Sequence, residues 1–181
     1  MKMKIFAVLM LVAIIFTGCG QNAGENSPSP TASNPTVSEP ANNSKSKYYF
    51  DYKDVKIYIN DEADPILDKL GEPMSYFESP SCAFQGMDRI YSYSGFDIYT
   101  YTDAEDGPEY IFTVAFMSDA VSTVEGISIG DKVDKVVSQY GEDYKASSNQ
   151  YVYSDQNTKL SFLIENGEVT AIEYNMILTE E

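Results

Sequence analysis

Histidine and tryptophan are both missing from this chain of 181 residues, cysteine occurs only twice, and 12 basic residues face 28 acidic ones. Each shortage closes off a class of function. Without histidine there is no Ser-His-Asp or Cys-His nucleophile, no imidazole proton shuttle and none of the common His-bearing zinc sites. The net charge of −16 makes nucleic acid a poor partner, because binding would bring phosphates against a strongly negative surface. No Walker loop, dinucleotide fingerprint, Ser-x-x-Lys or cysteine metal pattern occurs. The expectation is a binder with no cofactor and no metal, rather than an enzyme.

What is present begins with an export pattern. Lys2 and Lys4 form a positive start, Ile5 to Phe16 is a nearly unbroken apolar run, and Thr17-Gly18-Cys19 follows. The run is too short to span a bilayer comfortably. The Phe-Thr-Gly-Cys ending resembles the bacterial lipoprotein lipobox, in which small residues precede a cysteine that receives a diacylglyceryl group before cleavage. The resemblance implies a signal peptide at residues 1–18, lipidation of Cys19, and a protein held on the extracytoplasmic face of the cell membrane. An ordinary secretory signal cut nearby is the alternative. Each buried lipid methylene contributes about 0.8 kcal/mol, so two or three acyl chains make release slow. Residues 1–18 hold two lysines and no acid, so cleavage would leave a net charge of −18, which tends to hold the folded part away from anionic headgroups.

Residues 19–47 read as the anchored cysteine and a disordered linker. From Gly20 to Lys47 the chain is dominated by Ser, Asn, Pro, Thr, Ala and Gly, with Val37 as its only large apolar residue, and it cannot bury enough surface to offset the entropy of ordering. All 15 tyrosines follow it, so residues 48–181 are expected to form one compact domain. Cys82 is the only thiol after the anchor, which leaves no internal disulfide. It is either a small buried hydrophobe or an exposed thiol in the loop Glu78-Ser-Pro-Ser-Cys-Ala.

The domain contains a repeat. Ile59 to Glu72 superimposes on Ile129 to Glu142 without a gap, with identities at Ile59/Ile129, Asp61/Asp131, Asp64/Asp134, Gly71/Gly141 and Glu72/Glu142. Asp61 and Asp131 are placed to cap a helix amino end, and Asp64 and Asp134 to sit in the first turn, where the helix dipole favours negative charge. Apolar residues recur at helical spacing in Ala63, Ile66, Leu67, Leu70 and in Val133, Val136, Val137, Tyr140. Gly71 and Gly141 then stop each helix. Strands are expected at Arg89–Tyr93, Phe96–Thr102, Tyr110–Phe116, Tyr151–Tyr153, Lys159–Ile164 and Val169–Tyr174, with a tight hairpin at Asn166-Gly167. The fold class expected is α+β: two tandem repeats, 48–120 and 121–181, each a helical unit followed by antiparallel β-hairpins, with the helices packed on one face of the sheet.

The tandem Ile-x-Asp-x-x-Asp unit followed by Gly-Glu and hairpins resembles the β-lactamase-inhibitor-protein-like fold, over most of residues 55–176; a related single unit occurs in small outer-membrane-assembly lipoproteins. In the two-repeat inhibitors an aromatic-rich sheet surface grips an enzyme and an acid on a first-half hairpin enters its active site. The resemblance implies that Asp103 and Asp106, in Asp103-Ala-Glu-Asp-Gly-Pro108, are the matching acids. This chain lacks the tryptophan and the disulfide pair of those inhibitors.

Tyrosine suits an interface because a large rigid ring buries area while its hydroxyl stays hydrogen-bonded. Tyr91, Tyr93, Tyr99 and Tyr101 are the candidates, with Asp97, Tyr99 and Tyr101 placed on a polar-aromatic face and Ile98 and Thr100 toward the core. Cross-strand packing that stiffens the sheet is the competing role for the same rings. Tyr151 and Tyr153 would extend the surface if they point the same way. The function expected is a lipid-anchored binding module for a protein or envelope ligand, inhibitor-like in form; the alternative is a structural or assembly lipoprotein of the envelope.

Overall fold

The computed structural model describes residues 45–178. The expected signal peptide, Cys19 and nearly all of the linker lie outside the described residues. Along the chain come β1 (Phe50–Tyr52), β2 (Val55–Ile57), α1 (Asp64–Leu70), β3 (Ser75–Pro80), β4 (Met87–Tyr93), β5 (Phe96–Thr102), β6 (Glu109–Phe116), α2 (Val133–Tyr140), β7 (Lys145–Ser147), β8 (Gln150–Asp155), β9 (Thr158–Glu165) and β10 (Glu168–Met176). Strands β3 to β10 make one antiparallel sheet in the order β3-β4-β5-β6-β10-β9-β8-β7, and β1 and β2 form a separate hairpin. The repeat is visible in that order. Each copy contributes a helix and four strands, and the last strands of the two copies, β6 and β10, pair at the centre through Ala115↔Glu173, Val114↔Tyr174 and Thr113↔Asn175.

The expected α+β arrangement with helices packed on the sheet is overturned. The fold is mostly β, with 46% of the described residues in strands and 11% in helices. The physical reason is length. The helical periodicity runs for only two turns in each copy, giving helices of seven and eight residues, too short to form a layer over eight strands. The neighbour packed most closely against α1 is β2, and α1 and α2 bury only Ile66 and Val136 fully. Much of the core cover comes from elsewhere: Phe50 and Ile57 of the hairpin, Ile59 just after it, and Val121 and Ile127 of the segment before α2. Phe50 sits 4.9 Å, centroid to centroid, from both Phe96 and Phe116. Burial of each such side chain contributes roughly 1.5–3 kcal/mol.

The shared motif has a different task from the one expected. Neither helix has a side-chain N-cap bond. Instead the motif backbone is pinned to the last strand of its own copy and, in the second copy, also to the turn just before it. Asn60 N–H donates to Ile111 O, Ile111 N–H to Asp61 O and Ala63 N–H to Glu109 O; in the second copy Gly130 N–H donates to Val169 O, Val169 N–H to Asp131 O and Val133 N–H to Gly167 O. The Asp61 carboxylate pairs with Lys45 at 2.6 Å. The Asp131 carboxylate accepts from Lys135 Nζ and from Ser128 N–H, which hold it below the usual carboxylate range. Asp64 and Asp134 do lie in the first turns. Gly71 (φ 76°, ψ −165°) and Gly141 (φ 84°, ψ −174°) end the helices in a backbone region essentially confined to glycine.

All six expected strands form, each at or within a few residues of its expected ends, and Asn166 and Gly167 turn with φ of 52° and 79°, as a tight hairpin requires. Ser46 and Lys47, expected in the linker, are tied to the domain: Ser46 is buried, and Lys47 N–H donates to Asp155 Oδ2 at 2.7 Å.

Candidate binding surface

Side chains alternate across a strand, so the register assigns every residue of the sheet to a face. Phe96, Ile98 and Thr100 of β5 point toward the core and are fully or almost fully buried, as expected. Their partners on β4 are Tyr93, Tyr91 and Arg89, and on β6 Phe116, Val114 and Ile111. Tyr91 and Tyr93 therefore belong to the inner face, opposite Tyr99 and Tyr101. The four candidate tyrosines do not form one surface.

Each inner-face ring has a structural use. Tyr93 is buried and its hydroxyl donates to Gly71 O at 3.2 Å, tying the end of α1 to β4. Tyr153 does the same for α2, donating to Gly141 O at 2.8 Å, and is 1% exposed, which removes it from any outer surface. Tyr91 packs on Tyr76 and donates to Glu109 Oε2; burial first, then the Glu109 charge, pushes its hydroxyl pKa up. Around it lies a polar network missed in the sequence. Arg89, the only arginine of the chain, pairs with Glu109 at 3.0 Å and Glu78 at 3.3 Å, and Thr100 also donates to Glu109. A lone arginine in a strand of so acidic a chain was the available signal. Every charge in this network has a partner and no nucleophile stands beside it, so its chemistry is that of a strut.

The outer face reads, on β3 to β5, Phe77 and Ser79; Asp88, Ile90 and Ser92; Asp97, Tyr99 and Tyr101. It continues through Thr113 and Ala115, then Glu173 and Asn175, then Lys159, Ser161 and Leu163. Tyr99 is half-buried there, and burial, then Asp97, then Glu173 raise its hydroxyl pKa. Tyr101 is on this side but only 3% exposed. Its ring is covered by Phe84, stacked at 4.4 Å, and flanked by Tyr110 and Phe112, and its hydroxyl donates to Asn60 Oδ1 at 3.0 Å. The expectation of an exposed Tyr101 fails because the loop Ser81–Gly86 folds over the end of β5. Ser81 Oγ accepts from the N–H groups of Ala83 and Phe84, and Gly86 lies so close to Thr102 that a Cβ would overlap the Thr102 hydroxyl and carbonyl. Cys82 rides on this loop and is exposed.

Between that loop and the strands is a hollow of about 320 Å³, lined by Phe77, Ser79, Ala83, Phe84, Asp88, Arg89, Ile90, Tyr99, Thr100 and Phe112. Asp103 and Asp106 are exposed in the β5–β6 turn. They lie apart from Asp97, at the other end of β5, roughly 20 Å away at strand rise. Among the described residues no group of three or more His, Cys, Asp or Glu could hold a metal ion, and no helix is long and apolar enough to cross a membrane. No family model, curated protein or solved structure matches the chain.

Proposed function

We propose that the protein is a lipid-anchored extracytoplasmic binding module that recognises a protein or envelope ligand through the outer face of its sheet. The observation that carries this reading is that face: Phe77, Ile90 and Tyr99 border an apolar hollow beside the carboxylates of Asp88 and Asp97. An apolar centre with polar groups around it is the composition of an interface core and rim. The absence of histidine from the whole chain favours a binder over a catalyst. The export pattern ending at Cys19 supports the anchor.

Two measurements test it. Cys19→Ser is expected to move the protein from the membrane fraction to the soluble or secreted fraction and to abolish incorporation of labelled fatty acid; retention of the label in the variant would disprove the anchor. For the surface, Tyr99→Ala in the full chain is expected to lose at least about tenfold in partner recovery from envelope extract, since truncation of a central interface tyrosine costs about 2 kcal/mol or more, while the thermal midpoint stays close to that of the wild type. Equal recovery by wild type and variant would rule the face out.

A further inference from the structure

Strand β3 is the first edge of the eight-stranded sheet and runs for six residues, Ser75–Pro80. Its partner β4 lies on one side only, so half of its backbone N–H and C=O groups face away from the sheet. The opposite edge, β7, has three residues and carries Lys145, which is how proteins blunt an edge: short length and a lysine. Strand β3 is twice as long and carries no lysine, and its blunting residues stand toward its end, Glu78 turned inward to Arg89 and Pro80 at the last position. Met74, Tyr76 and Phe77 are 76%, 49% and 59% exposed, half of the large exposed hydrophobics among the described residues. Tyr76 and Phe77 point to opposite faces, so a new neighbour would find an apolar contact on either side. Phe77 also forms the rim of the outer hollow, with Ile90 and Tyr99 behind it.

We infer that β3 is a strand-addition site for an extended peptide segment of a partner, alternating basic and apolar residues, which pairs with the free edge and sets one apolar side chain against Phe77 at the mouth of the hollow. Backbone pairing supplies affinity and the hollow supplies selectivity. The basic character follows from charge. Alternation turns the basic side chains of the segment to the inner face of the edge, where Glu78 is exposed on β3 itself and shares the single charge of Arg89 with Glu109, and Glu72 lies three residues before the strand. A second copy of this chain is the poorer occupant, because two strongly acidic bodies, each with 28 acidic residues against at most 12 basic ones, would have to meet edge to edge. The inference rests on the reading of the outer face as a binding surface and adds the backbone edge beside it.

The test uses the full chain in non-ionic detergent and a labelled probe peptide, acetyl-Lys-Val-Lys-Phe-Lys-Val-amide, read by fluorescence polarisation and by amide hydrogen exchange. Binding is expected to slow exchange at alternate β3 amides. The Glu-for-Lys peptide and a peptide N-methylated at every residue are each expected to bind at least about tenfold more weakly, through lost charge pairing and lost backbone hydrogen bonds. Phe77→Lys is expected to weaken the probe by a similar factor and, lying on an exposed edge position, to leave the thermal midpoint unchanged. Unaltered β3 exchange, equal binding of the N-methylated peptide, or a β3-dependent dimer in sedimentation would each overturn the proposal. Because the extract recovery of Tyr99→Ala is scored separately, loss there with an indifferent β3 leaves the face standing without the edge, and the reverse pattern leaves the edge without the face.

Discussion

Tyr99 and Tyr101 stand two residues apart on one strand and have opposite fates. Periodicity of two puts both on the outer side, and that much was legible in the sequence. The burial of Tyr101 was not, because its cover, Phe84, reaches it from a loop bent by Ser81 and Gly86 rather than from anything in β5. The difference sets a stability contrast. Tyr101→Ala removes a buried ring and is expected to cost about 3–5 kcal/mol, whereas Tyr99→Ala, half-buried on an open face, is expected to cost about 1 kcal/mol or less. Chemical denaturation of the two variants would expose an error if their midpoints fell together. Gly71 and Gly141 belong to the same scale: their role as helix stops follows from type and spacing, and their φ near +80° with ψ near 180° makes alanine at either position cost about 1–3 kcal/mol.

Among the elements, the helices depend on the sheet. Two-turn helices are not stable alone, and each is held at its carboxyl end by a tyrosine hydroxyl from a strand, Tyr93 to Gly71 and Tyr153 to Gly141. These two tyrosines occupy matching places in the two copies although no alignment of the short motif includes them. Tyr93→Phe and Tyr153→Phe are each expected to destabilise by about 1 kcal/mol, the net worth of a hydrogen bond, and the loss should appear as faster amide exchange at the end of the corresponding helix. If protection there is unchanged, the hydroxyls do not anchor the helices. The extra strands β1, β2, β3 and β7 escaped sequence reading for two reasons. The first hairpin turns through Lys53 and Asp54 at φ of 52° and 68°, residues that give no glycine signal, while β3 and β7 are edges with exposed side chains and hence no alternation of polarity.

Taken together, the described residues form an acidic sheet rich in buried tyrosine, and that makes its stability pH-dependent at the alkaline end. Burial raises the hydroxyl pKa values of Tyr101 and Tyr153 to about 12 from an unfolded value of about 10. A raised pKa means that the folded state holds the proton more tightly. The stabilisation is therefore complete below pH about 10, and it is lost as pH rises through the window between about 10 and 12. Tyr91, Tyr140 and Tyr174 are shifted in the same direction, chiefly by burial. A tyrosinate absorbance titration is expected to show an early class and a late class that ionises together with loss of the β-sheet circular dichroism signal. A single titration at the ordinary tyrosine pKa with the sheet intact would contradict the packing.

By itself the sequence determined the excluded chemistries, the repeat, the helix stops and the six inner strands, because these rest on residue type and on periodicities that are local. The balance of strand over helix, the position of β3 at a free edge, the division of the candidate tyrosines between two faces and the cover over Tyr101 were decided only in the tertiary structure. Each of these depends on which strand lies beside which, and register converts a local alternation into an inner or an outer face only once the neighbour is known.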